Sequence, residues 1–137
     1  MCIRDSVYPV ADHDFETESY RSNAAGFGLT EAAMRWYWDH YLPDPQRRAE
    51  PEASPLRAPD LRGVAPALVV VCELDPLHDE GVAYARRLEE AGVRVRLSRY
   101  EGMIHGVLRM TAVVGASHRL LAELAAEARE VFAKTPG

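Results

Sequence analysis

The sequence has few cysteines and no long apolar run. Two cysteines, Cys2 and Cys72, occur among its 137 residues, and neither belongs to a C-x-x-C pair. A disulfide framework or a structural zinc site is therefore not expected. No apolar stretch approaches the ~20 residues that a membrane-spanning helix needs. A basic excess is also lacking, because 16 basic residues stand against 21 acidic ones. We therefore predict a cytoplasmic protein without a metal site, a membrane span or a nucleic-acid partner.

The pattern of apolar residues predicts strands that alternate with helices. The run at 67–72 is apolar throughout, which is typical of a strand buried on both faces of a parallel sheet. Residues 93–100 alternate apolar and polar side chains, as a half-buried strand does. The predicted elements, in chain order, are a strand that ends at 7–10, a helix at 30–42, a strand at 67–72, a helix at 79–91, a strand at 93–100 and a helix with an apolar stripe over 114–132.

This order of elements is the α/β pattern, in which helices cover the faces of a mostly parallel sheet. Residues 11–28 are predicted as a long loop, and residues 43–66 as a loop with at most one short turn near 58–61. Three strands make a small sheet, so we expect residues 7–137 to be the C-terminal part of a larger single domain. Residues 1–6 are expected to be a non-native or truncated N-terminus.

Two polar segments follow predicted strands directly. Asp75 comes after the buried strand, and His105 comes after the last strand. The carboxyl ends of neighbouring parallel strands meet at one edge of the sheet, where ligands bind in open α/β folds. A carboxylate there can orient an imidazole and support its protonated form during acyl transfer. The alternatives stay open: Asp75 could cap the following helix, His105 could be an ordinary loop histidine, and Glu73 could be a neighbour of the site or a solvated side chain.

A nucleophile motif is absent. The chain has no G-x-S-x-G sequence and no H-G-G-G loop, and its nearest approach, G-A-S-H-R around Ser117, lacks the second glycine and falls in a predicted helix. The residues themselves therefore offer an acid and a base of a Ser–His–Asp triad without the serine. The other histidines are expected to be solvated or packed: His13, His40, His78 and His118.

Seven collinear stretches resemble the hormone-sensitive-lipase-like bacterial esterases, a branch of the α/β-hydrolase superfamily. They are V-Y-P-V-A-D at 7–12, G-F-G-L-T at 26–30, M-R-W-Y-W-D-H-Y-L at 34–42, A-S-P-L-R-A-P-D-L at 53–61, P-A-L-V-V-V at 66–71, D-P-L-H-D-E-G at 75–81 and Y-E-G-M-I-H-G at 100–106. Two positions depart from the family: His78 stands where Arg is frequent, and Val107 where an aromatic residue is frequent.

The resemblance implies an α/β-hydrolase fold, of which this chain carries the last three strands with their flanking helices. It implies that Asp75 is the triad acid and His105 the triad base, and that the serine and the oxyanion loop lie upstream. Such enzymes hydrolyse small-molecule carboxylic esters through an acyl-enzyme, without a metal or organic cofactor. We expect Phe27 and Met103 to line a substrate pocket, with core packing as the alternative for Met103.

Two further expectations follow from the resemblance. A homo-oligomer is expected as one state of the full-length enzyme. The competing function is a catalytically inactive hydrolase-fold module that binds a ligand or another protein, since a fold does not determine a function.

Overall fold

The computed structural model describes residues 4–133, which form a three-stranded parallel sheet with helices on its faces. The strands are β1 (Arg4–Val7), β2 (Ala67–Leu74) and β3 (Val95–Ile104), and β2 lies between the other two. The helices are α1 (Glu18–Ser22), α2 (Glu31–Tyr41), α3 (His78–Glu90) and α4 (Gly115–Ala133), and short 3₁₀ helices lie at Pro45–Ala49, Pro55–Arg57 and Val107–Arg109. The predicted α/β class is confirmed.

Strand β2 supplies both layers of the core. Successive side chains of a strand point to opposite faces, so Val69 packs with Leu88 of α3 while Val70 packs with Leu120 of α4. The first six residues of β2 are all buried, as their continuous apolar run predicts. Helices α3 and α4 therefore cover opposite faces of the sheet, and the carboxyl end of β2 is left at its rim.

Helix α3 approaches β2 closely because it has a glycine on the contact face. A Cβ atom at Gly81 would lie 2.7 Å from Cγ1 of Val71, which is too close for two carbon atoms. The glycine is thus needed for packing, despite its cost of about 1 kcal/mol in a helix interior. The close approach holds the start of α3, and the turn that leads into it, against the sheet.

The first strand and the loop after it differ from the prediction. The strand was expected to end at 7–10, whereas β1 ends at Val7 and includes Arg4–Ser6. Its ladder with β2, with Ser6 opposite Val69, forms the strand although its own sequence is polar. Residues 1–3 of the predicted non-native segment lie outside the described residues, and that expectation stays a prediction. Helix α1, inside the predicted loop 11–28, was missed because five residues are too few to show a helical period.

Three other predictions were wrong: the content of one loop, the end of one strand and the buried face of one helix. Residues 43–66 contain two 3₁₀ helices rather than one turn near 58–61, and each begins at a proline, Pro45 and Pro55. Strand β3 continues past residue 100 to Ile104, beside an irregularity in its register with β2. In α4 the predicted apolar stripe includes Leu121 and Phe132, which are exposed instead.

None of the helices within residues 4–133 is long and apolar enough to cross a membrane.

A buried carboxylate joins α3 to the segment after β1. Oε1 of Glu80 accepts hydrogen bonds from the backbone N–H groups of Ala11, at 2.7 Å, and Asp12, at 3.2 Å. Burial raises the pKa of Glu80 to about 8, and the two backbone donors offset only part of that effect. The folded protein therefore holds a proton on Glu80 over a pH range in which the unfolded chain has released it.

This raised pKa predicts that the stability of the protein depends on pH. We expect Glu80→Gln to make that dependence weaker. Because the folded pKa lies above the unfolded one, the free energy of unfolding falls as pH rises from about 5 to about 8. We expect the wild-type protein to lose about 1–3 kcal/mol more over this range than the variant. Urea unfolding at several pH values measures the difference, with Glu89→Gln on the exposed side of α3 as the control. Equal pH dependence in wild type and Glu80→Gln would contradict the prediction.

Candidate active site

The structure brings Asp75 and His105 into contact at the carboxyl edge of the sheet. Asp75 directly follows β2, which ends at Leu74, and His105 directly follows β3, which ends at Ile104. Because the two strands are parallel neighbours, both residues leave the sheet on the same side. The distance from Nδ1 of His105 to Oδ2 of Asp75 is 2.8 Å. The imidazole can therefore donate its Nδ1 proton to the carboxylate and keep Nε2 free.

The two side chains differ in exposure. The side chain of Asp75 is 1% exposed, while that of His105 is 31% exposed. A buried carboxylate needs hydrogen-bond donors in place of water, and Asp75 has a second one, because Oδ1 accepts the N–H of Leu77 at 3.0 Å. The N-cap of α3 is Leu77, and no side chain caps the helix, so Asp75 is not its cap. One oxygen of Asp75 supports the turn before α3, and the other faces His105.

The segment after His105 turns sharply and is held by contacts that the sequence pattern did not reveal. Gly106 has a φ of +78°, a left-handed conformation that glycine adopts without strain. The short helix Val107–Arg109 follows, and its Val107 carbonyl accepts a hydrogen bond from the hydroxyl of Ser117 in α4. Ser117 is fully buried, so this serine serves the packing of the histidine segment and is not available as a nucleophile.

Tyr8 supports the same segment from the end of β1. The centroid of its ring lies 5.1 Å from the centroid of the His105 imidazole, and the two ring planes are inclined at 57°. Its hydroxyl oxygen accepts the backbone N–H of Leu108 at 3.1 Å. Tyr8 has a φ of +53°, the only positive value for a non-glycine residue among residues 4–133. Burial raises the pKa of Tyr8 to about 12, so the hydroxyl stays neutral at physiological pH. No pattern in the sequence indicates this role of Tyr8.

Glu73 contacts β3 shortly before His105. Its Oε2 atom accepts the backbone N–H of Gly102 at 2.6 Å. The side chain therefore joins the end of β2 to a residue of β3 three positions before the histidine. Of the two explanations that the sequence left open, the structure favours a neighbour that braces the site, although this carboxylate is exposed to solvent.

A cavity of about 580 Å³ opens beside the imidazole. Most of its wall is apolar, and His105 and Arg109 are the ionisable side chains in it apart from two tyrosines. Phe27 is half-buried next to Gly28, which lines the cavity, but is not itself part of the wall. Met103 packs against the core between the sheet and α4, as the alternative reading of this residue proposed. A substrate contact of Phe27 or Met103 stays a prediction.

The remaining histidines have contacts of their own, away from Asp75. The ring nitrogens of these residues lie near the following groups: Ser54 and Asp12 for His13, the Trp36 carbonyl for His40, Asp79 for His78 and the Thr111 carbonyl for His118. Among the residues that the structure describes, no group of three or more His, Cys, Asp or Glu side chains is arranged to hold a metal ion.

The hydrogen bond between Tyr8 and Leu108 can be tested by amide exchange. In Tyr8→Phe the Leu108 amide loses its acceptor, and we expect it to exchange about 5- to 10-fold faster, as the loss of about 1 kcal/mol implies. Hydrogen–deuterium exchange followed by NMR measures this rate. Tyr100→Phe is the matched control, because the Tyr100 hydroxyl bonds Glu123 instead. If the Leu108 amide exchanges at the same rate in Tyr8→Phe and wild type, the bracing contact does not operate in solution.

Comparison with known proteins shows that this chain is similar to ester hydrolases. The alpha/beta hydrolase fold family matches residues 6–109. Ethyl acetate hydrolase of Pseudomonas putida is 39% identical over 108 residues, which are 79% of this chain and 34% of that protein. Carboxylic ester hydrolase LipN of Mycobacterium tuberculosis is 39% identical over 112 residues, which are 81% of this chain and 30% of that protein.

Solved structures agree with these relatives. An ester hydrolase from the metagenome of Lake Arreo has a TM-score of 0.90 at 36% identity, covering 96% of this chain and 42% of that one. A thermophilic carboxylesterase cloned from a metagenomic library has a TM-score of 0.88 at 35% identity, covering 93% of this chain and 44% of that one.

The chain spans about a third of the length of the curated relatives that it matches. Within that span the family match, the identities and the superpositions all agree, so the resemblance to the hormone-sensitive-lipase-like esterases is confirmed. The chain belongs to the alpha/beta hydrolase fold family.

Proposed function

We propose that this chain supplies the acid and the base of a Ser–His–Asp triad that hydrolyses carboxylic esters. Asp75 is the acid and His105 the base. The hydrogen bond of 2.8 Å between Oδ2 of Asp75 and Nδ1 of His105 carries the proposal. Two relatives are named as ester hydrolases, which supports ester hydrolysis as the reaction.

In this mechanism His105 carries one proton in each half of the cycle, and Asp75 orients the imidazole and stabilises its protonated form without taking a proton itself. The Asp75 carboxylate accepts a hydrogen bond from the Nδ1–H group and so keeps Nε2 of His105 unprotonated and directed toward the nucleophile. Nε2 takes the proton of a serine hydroxyl as the serine oxygen attacks the ester carbonyl carbon. His105 then returns the proton to the leaving alcohol oxygen as the acyl-enzyme forms. In the second half of the cycle, Nε2 takes a proton from a water molecule as the water oxygen attacks the acyl carbon. His105 then returns that proton to the serine oxygen as the acyl–serine bond breaks, and the carboxylic acid leaves.

The serine and the oxyanion donors come from outside these residues. The 137-residue sequence contains neither a G-x-S-x-G nor an H-G-G-G motif, and Ser117 is buried and bonded to the Val107 carbonyl. We propose a small-molecule ester as the substrate, because the cavity beside His105 has mostly apolar walls. The mechanism requires no metal or organic cofactor. A cytoplasmic location and a homo-oligomeric full-length enzyme stay predictions.

The role of Asp75 is tested by the substitution Asp75→Asn in the active protein. By the active protein we mean the shortest chain that contains residues 1–137 and hydrolyses p-nitrophenyl butyrate. Asparagine cannot stabilise the protonated imidazole, and its amide can favour the wrong tautomer of His105. We therefore expect kcat to fall by up to ~10⁴-fold. Asp60→Asn is the control, because Asp60 is exposed and bonds only Arg62. Retention of full activity by Asp75→Asn would refute the proposed role.

The division of the triad is tested by the isolated 137-residue chain. Without a serine nucleophile beside His105, the purified chain should hydrolyse p-nitrophenyl butyrate no faster than its His105→Gln variant does. Activity of the isolated chain above that control would show that the nucleophile lies within it. If a longer protein with an intact G-x-S-x-G motif is equally inactive, the competing function as a binding module is supported.

A further inference from the structure

Helix α1, which the sequence pattern did not reveal, places two buried polar side chains beneath Asp75. We call residues 73–77, the end of β2 and the turn into α3, the acid loop. The side-chain Nδ2 of Asn23, the residue that follows α1, donates to the backbone carbonyls of Glu73, at 3.1 Å, and Asp75, at 3.3 Å. Asn23 is 6% exposed, so these contacts are largely shielded from water. The side chain of Asn23 thus binds two backbone carbonyls, one two residues before Asp75 and one of Asp75 itself.

Ser19, near the start of α1, holds the next part of the acid loop. Its hydroxyl donates to the carbonyl of Pro76 at 2.7 Å. The same hydroxyl oxygen accepts the backbone N–H of Asp79 at 3.2 Å, and the backbone N–H of Ser19 donates to Oδ2 of Asp79 at 2.9 Å. Ser19 is 5% exposed. The first turn of α1 is therefore locked to the first turn of α3, with the acid loop between them.

These contacts fix the backbone that aims the Asp75 carboxylate. A buried carbonyl without a donor costs about 1–3 kcal/mol. The Asp75 carbonyl accepts the backbone N–H of His78 at 3.1 Å, and Asn23 adds a second donor to it. From the same separate segment of the chain, Asn23 also donates to the Glu73 carbonyl and Ser19 to the Pro76 carbonyl. Rotation of the Glu73, Asp75 or Pro76 peptide units would break these bonds, so the loop is restricted to one backbone conformation.

We propose that Asn23 and Ser19 are positioning residues of the triad: they hold the acid loop so that Oδ2 of Asp75 stays within hydrogen-bond distance of Nδ1 of His105. The proposal rests on the proposed function of the dyad. Neither residue reaches the imidazole or the cavity beside it, so their effect passes through the backbone of Asp75.

A purely structural role of α1 predicts a different result. The helix already has an apolar anchor, because Tyr20 is buried in a cluster with Leu77, Met34 and Trp38. If the polar side chains contributed only to stability, their loss would reduce the folded fraction and leave the dyad unchanged in the molecules that fold. A positioning role instead changes the contact between Asp75 and His105 inside the folded molecules.

The experiment follows the Nδ1 proton of His105 by NMR in wild type, Asn23→Ala and Ser19→Ala. The resonance is assigned with ¹⁵N-histidine labelling and by its loss in His105→Gln. A proton held between imidazole and carboxylate resonates far downfield and exchanges slowly. We expect this resonance to move upfield or broaden in Asn23→Ala, and to a smaller extent in Ser19→Ala. Ser22→Ala is the matched control, because Ser22 lies on the same helix, is exposed and bonds only the Glu18 carbonyl.

Kinetics of the active protein give the second readout. In Asn23→Ala we expect kcat to fall about 10- to 100-fold, since a displacement near 1 Å of a catalytic group can cost ~10²-fold. KM should stay within about twofold, because Asn23 does not line the cavity, and uniform substrate binding is unchanged. The fraction of folded protein, measured by circular dichroism, corrects both values for lost stability.

An unchanged Nδ1 resonance in a folded Asn23→Ala protein would overturn the proposal, as would a loss of kcat no larger than the loss of folded protein. If Asn23→Ala does not fold, Ser19→Ala decides the question by the same two criteria. If wild type shows no ester hydrolysis in any chain length, the proposed function fails, while the resonance still shows whether Asn23 positions Asp75.

Discussion

The parallel pairing of β2 with β3 is the constraint on which the rest of the site depends. Two adjacent parallel strands deliver their carboxyl ends to one edge of the sheet, and each strand ends one residue before a member of the dyad. Asp75 and His105 are separated by a whole helix and a strand along the chain, yet their side chains meet at 2.8 Å. Helix α3 completes the crossover, and Gly81 lets it pack closely enough to hold that geometry.

Burial of the acid explains why so much polar structure surrounds it. A carboxylate removed from water is costly unless donors replace the lost hydration. Asp75 receives two such donors directly, from Leu77 and from His105. Around the dyad, separate segments of the chain bind the backbone rather than the reacting atoms, with Asn23 on the acid side and Tyr8 on the histidine side. Asp75 and His105 therefore lie inside a larger network of hydrogen bonds.

All the contacts that support Asp75 and His105 in this structure come from the chain itself. The residues that hold Asp75 and His105 in place come from six places within the described residues 4–133: the position after β1, helix α1, the position after α1, the acid loop, β3 and α4. The contact between Asp75 and His105 thus forms within a chain that spans about a third of its relatives. What the proposed reaction needs in addition is a nucleophile and oxyanion donors that face the free Nε2 atom of His105. His105 is one of the residues that line the mostly apolar cavity.

The sequence by itself determined the α/β class, the buried central strand and the two residues that meet. These features depend on local pattern and chain order, because a continuous apolar run such as 67–72 has few alternatives, and parallel strands must end on one side. The tertiary structure alone decided the position of β1, the existence of α1 and the roles of Tyr8 and Asn23. The sequence R-D-S-V becomes a strand only through its ladder with β2, and α1 is too short for a periodic signal. Tyr8 and Asn23 act on residues 100 and 52 positions away, a relation that no local pattern encodes.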